Sequence, residues 1–235
     1  MNAKRGYVPE DEQNFSPAAI EKMRTASRHV CYLINEGYDL KQAATFVGNH
    51  FLLSERQRLA IMRCAATGEQ LVGRRERQVP LDLLAGQEVW IDGFNIIITL
   101  EVMLSDSILL IGMDGCVRDL AAMRGTYRII PQTAEGIKLL FDVLREAEVR
   151  KVNILLDEPV SNSGRLKTLL AETAEPYPFE LDVQIRKDVD RALYQKEYVI
   201  TSDSVILDHC ASWVNLGAEC MERRQQQGSN PALIF

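Results

Sequence analysis

The sequence predicts an α/β protein: a mainly parallel sheet covered by helices, with a small all-α unit in front of it. Three observations carry that prediction. In residues 81–235 short apolar runs alternate with stretches of helical periodicity, the pattern of a parallel sheet buried on both faces. In residues 1–80 the apolar residues recur at helical spacing. Charge divides the chain at the same place. Residues 1–80 hold 12 Lys+Arg against 9 Asp+Glu, and residues 81–235 hold 15 against 24, a mildly basic front before an acidic back.

The front unit is read first. Ser16-Pro17 supplies an N-cap hydroxyl and a proline at the first helical position. Ile20, Met23, Val30 and Leu33 then mark one helix face, and Gly37 ends it. Asp39 to Val47 forms a second, short helix. Ser54-Glu55-Arg56-Gln57 is a capping-box pattern that opens a third, with Leu59, Ile61 and Met62 toward a core. This order suits a helix-turn-helix with Arg56, Arg58 and Arg63 on the third helix. It suits equally a helical cap whose arginines are solvated. The polar stretch 73–80, ending in Pro80, reads as the boundary.

In the back unit, Val89-Trp90-Ile91, Ile108–Ile111, Val152–Leu156 and Tyr198–Thr201 read as strands, with a weaker one at Leu181–Ile185. Thr133–Glu148 and Gly164–Ala174 read as helices. Ile108 to Arg128 reads as an inserted hairpin, because Asp114-Gly115 is a hairpin-turn dipeptide. Asp114 is therefore expected to be structural. The apolar stretch Asn230 to Phe235 is expected to dock on the core or in a partner's groove, and a homodimer is compatible with it.

Several classes are excluded. With 46% hydrophobic residues in 235, the chain has enough apolar mass for a core. Ile96–Met113 is the best membrane candidate, but Glu101 and Asp106 interrupt it. The N-terminus lacks the apolar stretch of a signal peptide. Five cysteines without CxxC spacing argue for reduced thiols. A cytoplasmic protein without membrane attachment is expected. GxxxxGK[ST], GxGxxG and GxSxG are all absent. Phe94 stands where a haloacid-dehalogenase phosphatase wants a second Asp, and His29, His50 and His209 are dispersed.

The informative residues are those that follow the strands: Asp92, Asp157, Asp203 and, after the weaker strand, Asp188 and Asp190. In a parallel sheet all strand C-termini open on one edge, where ligands bind. Acids delivered there would repel one another unless a cation joined them. Oxygen-only ligands favour Mg²⁺ or Mn²⁺, and a hard cation suits phosphoryl chemistry. Taken singly, each acid can equally be a helix cap.

Trp90-Ile91-Asp92-Gly93-Phe94-Asn95-Ile96-Ile97 resembles the opening motif of the PIN-like nucleases, particularly their NYN branch. Lys187-Asp188-Val189-Asp190-Arg191-Ala192-Leu193 resembles that branch's Lys-x-Val-Asp-x-x-Leu motif. Thr201-Ser202-Asp203 resembles its Thr/Ser-x-Asp motif. The likeness covers roughly residues 85–220. The two-part chain is also similar to a prokaryotic family that sets a short helical domain of unknown function, numbered 434, before a PIN-like domain.

The resemblance implies a three-layer α/β/α fold and cation-dependent hydrolysis of RNA phosphodiester bonds. Asp92, Asp190 and Asp203 then inherit the role of Mg²⁺ or Mn²⁺ ligands, and Asp157 matches a further acid. Asn95 would orient Asp92 or contact the scissile phosphate. Asp119, Asp188 and Ser202 are additional candidates. Only 12 residues separate Asp190 from Asp203, so the helix between them must be short. RNA is the expected partner. Ser161 and Ser163, at a helix start with Arg165 and Lys167, could hold a phosphate, although Ser163 could be an ordinary cap. Arg118, Arg124 and Arg128 beside Tyr127 could meet a backbone and stack a base, or form a solvated face. The alternative function is a non-catalytic RNA- or protein-binding regulatory module on the same fold.

Overall fold

The computed structural model describes residues 4–121, 125–226 and 232–234. Five helices come first: α1 (Asp11–Asn14), α2 (Pro17–Asn35), α3 (Leu40–His50), α4 (Glu55–Cys64) and α5 (Gly68–Arg77). Local chemistry sets their ends. Gly37 follows α2 at φ +88, a backbone region that glycine enters without steric cost. Asp39 caps α3 by accepting from the Gln42 N–H, and Ser54 and Gln57 form the expected box on α4. Helix α5 has no counterpart in the sequence reading, which takes residues 73–80 as a boundary. Thr67 and Gln70 make a second capping box and carry the helix to Arg77. Met23, Val30, Val47 and Ile61 form the core of this unit, which Leu110 and Leu120 of the later chain complete.

The second unit runs β1 (Glu88–Asp92), α6 (Gly93–Leu104), β2 (Leu109–Ile111), β3 (Val117–Asp119), α7 (Pro131–Glu146), β4 (Lys151–Asp157), α8 (Ser163–Ala174), β5 (Glu180–Arg186), α9 (Val189–Leu193), β6 (Val199–Ile200), α10 (Ser204–His209), α11 (Leu216–Gln226) and β7 (Ala232–Ile234). Its main sheet has the order β5-β4-β1-β6, with every described pairing parallel. Strand alternation sorts the side chains into two cores. Val89, Ile91, Ile154 and Leu156 pack with Leu140, Phe141 and Leu166 of the helices on one face. Trp90 and Leu155 point the other way, toward Leu193, Ile206, Leu207 and Trp213. The chain is thus a mixed α/β protein with an N-terminal helical region.

The topology places a crevice. From β1 the chain winds outward through β4 to β5, then returns to lay β6 against the opposite side of β1. Loops that leave neighbouring strands in opposite directions open a gap at the C-terminal edge. Asp92 ends β1 and Asp157 ends β4 at that edge.

The segment after α6 is a hairpin, as expected, but it stands outside the main sheet. Strands β2 and β3 pair antiparallel, and residues 232–234 lie parallel to β2. Residues 232–234 therefore pair with their own chain, and the rest of the stretch expected to dock lies outside the described residues. Buried polar groups tie the two units together. Arg74 of α5, 2% exposed, donates to Asp114 (2.7 Å) and to Asp208 (2.7 Å). Its carbonyl accepts from Trp213 Nε1 at 2.7 Å. Near the start of the chain, Arg5 reaches the fully buried Glu101 at 2.7 Å, and the Tyr127 hydroxyl donates to the same carboxylate at 2.6 Å. All five cysteines are free thiols. Among the described residues no helix is long and apolar enough to cross a membrane.

Candidate functional site

Asp92, Asn95, Asp119, Asp157, Asp190 and Asp203 line one cleft, with Phe94 and Arg63 beside them. Strand ends and the turns after them supply most of the set. Asp92 closes β1 and stands in the N-cap position of α6, yet its side chain does not cap that helix. Its Oδ2 accepts instead from the Thr201 hydroxyl at 2.9 Å. The next residue must be small. A Cβ on Gly93 would lie 2.6 Å from Leu156 Cδ2 and 2.9 Å from the Leu155 carbonyl, so α6 can start against β4 only with glycine there.

Thr201 joins two strand ends. It donates to Asp92 and accepts from the Asp203 N–H at 3.0 Å. Asn95, one turn into α6, faces the same junction. Its Oδ1 accepts from the Ser202 N–H at 2.8 Å and from the Ser202 hydroxyl at 3.0 Å. A backbone N–H can only donate, so the amide orientation is fixed. Its Nδ2 is left as a donor without a described partner.

Asp203 does two things. It lines the cleft, and its Oδ1 caps α10 by accepting from Val205 N (2.8 Å) and Ile206 N (3.2 Å). Asp190 sits on the short α9 and Asp157 at the end of β4. Asp119 enters from the hairpin, buried, accepting from the Thr99 hydroxyl (2.9 Å) and the Ala121 N–H (2.8 Å). Arg63 Nη2 approaches its Oδ2 at 3.9 Å.

The electrostatics follow from this crowding. Burial pushes the Asp92 carboxyl up to about 8; the Thr201 hydrogen bond opposes that, and the charges of Asp203, Asp157 and Asp190 add to it. Asp157 is raised by burial and then by Asp190, and Asp190 by burial and then by Asp203. No ion pair to these four acids occurs among the described residues. Oxygen donors without a protein counter-charge have the chemistry that a hard divalent cation prefers. The cage is not closed, however: among the described residues no three His, Cys, Asp or Glu side chains gather closely enough to hold one ion.

Residues 81–219 match the family described as "Domain of unknown function (DUF5616)", and residues 22–77 match "Protein of unknown function (DUF434)". The chain belongs to the DUF5616 family. It is also 34% identical over 206 residues to the uncharacterized protein MJ0935 of Methanocaldococcus jannaschii, an alignment covering 87% of this chain and 97% of that one. No solved structure matches.

Within the DUF5616 segment several expected substrate contacts are turned inward. Arg118 is 3% exposed; it pairs with Asp114 at 2.6 Å and its Nε donates to the Ser202 carbonyl at 2.8 Å. It braces the site from behind and cannot face a substrate. The Ser161 hydroxyl is spent on the Tyr127 N–H (2.9 Å) and carbonyl (3.2 Å). The Ser163 hydroxyl is buried on the Asp157 carbonyl (2.8 Å) and the Val160 carbonyl. Neither serine is free for a phosphate, and the N-cap position of α8 belongs to Asn162. Tyr127 is fully buried and stacks no base. Arg124 lies outside the described residues.

The additional candidates divide. Ser202 positions Asn95, and Asp119 joins the cleft. Asp188 is exposed, paired with Arg186 at 3.0 Å. As expected of a turn residue, Asp114 is structural. In the helical unit, Arg56 is held by Asp11 and by the carbonyls of Gly6 and Leu120, and Arg58 by the Leu53 carbonyl and Asn49. The residue missed as a member of the site is Arg63. Its position seven residues after Arg56 puts both on one face of α4, a signal the sequence contained.

Proposed function

We propose that this protein is a Mg²⁺- or Mn²⁺-dependent ribonuclease on a PIN-like fold, hydrolysing RNA phosphodiester bonds at the C-terminal edge of its sheet. One observation carries the reading: acids from the ends of β1 and β4, from α9 and from the turn after β6 line a single crevice at a topological switch. Asp92, Asp157, Asp190 and Asp203 would hold the cation. A cation held there would supply Lewis acidity toward the phosphate and toward an attacking water.

The chain's own groups do the rest. Thr201 holds the Asp92 carboxylate in place. Ser202 presents the Asn95 amide, whose Nδ2 can donate to a non-bridging phosphate oxygen. Arg63 brings positive charge to a cleft that would otherwise repel a polyanion. Water adds to phosphorus and one P–O ester bond breaks, leaving a phosphate monoester and a hydroxyl end.

The test is cleavage of a panel of labelled RNAs with Mn²⁺, comparing wild type with Asp92→Asn. The reading expects cleavage by wild type, loss of at least a hundredfold in the variant, and abolition by chelator. Equal cleavage by both proteins would defeat it. The open cage and the use of Asp203 as a cap favour a second reading, a module that binds RNA or protein without turnover. That reading expects binding indifferent to chelator and no cleavage by either protein.

A further inference from the structure

A groove at the junction of the two units is lined by Lys4, Arg5, Tyr7, Arg56 and Arg128, and no acid lines it among the described residues. Two of its cations are already compensated, Arg5 by Glu101 and Arg56 by Asp11. Lys4 and Arg128 are exposed and form no ion pair among the described residues. Tyr7 is 52% exposed, with Lys4 Nζ 5.8 Å from its ring centre. An aromatic face among uncompensated cations is how proteins hold single-stranded nucleic acid without reading sequence.

The groove and the acidic cleft share a wall. Ala121 lines both. So does α4, which gives Arg56 to the groove and Arg63 to the cleft. Seven residues apart on a helix, the two lie about 10 Å from each other along the same face.

We infer that this groove is the entry track for single-stranded RNA, with Lys4, Arg128 and Tyr7 gripping the strand and Arg63 passing it to the acids. The inference rests on the ribonuclease reading for its destination but not for its binding chemistry. It gives the helical unit a role, since two walls of the track come from residues 4–8 and α4. It also shows how a protein of net charge -6 can hold a polyanion: the attraction is confined to one patch.

The experiment is fluorescence anisotropy with a labelled twelve-nucleotide oligouridylate in EDTA, so that binding is read without cleavage. Lys4→Glu/Arg128→Glu should bind at least about tenfold more weakly at 0.1 M salt, with a flatter dependence on salt. Tyr7→Ala should weaken binding several-fold and leave the salt slope unchanged. Arg165→Glu/Lys167→Glu, exposed on α8, should bind like wild type. Thermal melts check that each variant is folded, and the milder Lys4→Ala/Arg128→Ala replaces the double reversal if that one is not. Wild-type affinity in the folded double variant overturns the track, as does equal binding of duplex DNA or polyglutamate. Binding that behaves as described while Mn²⁺ elicits no cleavage would refute the nuclease reading and leave the track standing. Cleavage with unaltered binding in the variants would do the reverse.

Discussion

Asp92 at the end of β1 and Asp114 in the turn between β2 and β3 both carry buried carboxylates, and their surroundings treat them in opposite ways. Around Asp114, burial would raise the carboxyl, but hydrogen bonds and charge from Arg118 and Arg74 bring it below its ordinary value. Around Asp92, burial is reinforced by three further acids and opposed by one hydroxyl, and the carboxyl rises to about 8. The first arrangement supplies a counter-charge and the second supplies none among the described residues. Arg118 also serves the site, because it grips the Ser202 carbonyl while Ser202 grips Asn95. Similar residues at similar burial thus end with opposite carboxyl shifts according to whether the protein supplies the counter-charge.

The contrast can be broken from either side. Arg118→Met should have the largest effect, a loss of about 3–5 kcal/mol, because it leaves Asp114 buried with half its partners gone; urea denaturation measures it. Asp92→Asn should act in the opposite direction. An unfolded aspartate ionises near pH 4, whereas folded Asp92 keeps its proton to about pH 8. Between those values the folded chain holds the extra proton, so wild-type stability falls as pH rises, by up to about 1.4 kcal/mol per pH unit. The variant should therefore match wild type near pH 4 and exceed it by about 2–4 kcal/mol at pH 7 in EDTA. Millimolar Mn²⁺ should then raise the melting temperature of wild type more than that of the variant.

A finer probe is Thr201→Val, which keeps the shape and removes the hydroxyl shared by Asp92 and the Asp203 N–H. About 1 kcal/mol should be lost, read by thermal melts at pH 7. Asp188→Asn marks the lower limit. Its pair with Arg186 is exposed and solvent-screened, so neither melting temperature nor RNA cleavage should change measurably. A clear loss of cleavage there would extend the site beyond the cleft.

Much of this was legible in the sequence for a simple reason. Strand alternation and the acid after each strand are local features, and parallel pairing brings strand ends together whatever the loops do. Hence Asp92, Asp157 and Asp203 could be gathered into one crevice from their positions alone, while position left Asp188 and Asp190 equal after the weaker strand and only the PIN-like resemblance pointed to Asp190. Side-chain direction in loops is not local. Arg118, Ser161 and Ser163 have the chemistry of phosphate contacts, but their directions are set by Asp114, Tyr127 and the turn after β4, which no spacing reveals. Arg63 shares a face of α4 with Arg56, which spacing shows, but it belongs to the other unit, and no spacing reveals that this face meets the cleft. Helix α5 is a different case: the Thr67-x-x-Gln70 box was readable, but the arginines after it looked like a linker.

The burial of Arg74 has a practical consequence for anyone who would dissect the chain. A fragment cut at Pro80 loses this side chain, and the remainder is left with two carboxylates, Asp114 and Asp208, stripped of a guanidinium. The excised helices would in turn expose the apolar surface that Leu110 and Leu120 now cover. Fragment studies would report on damaged pieces, so swaps between homologues should exchange whole chains, or carry Arg74 together with both of its acids.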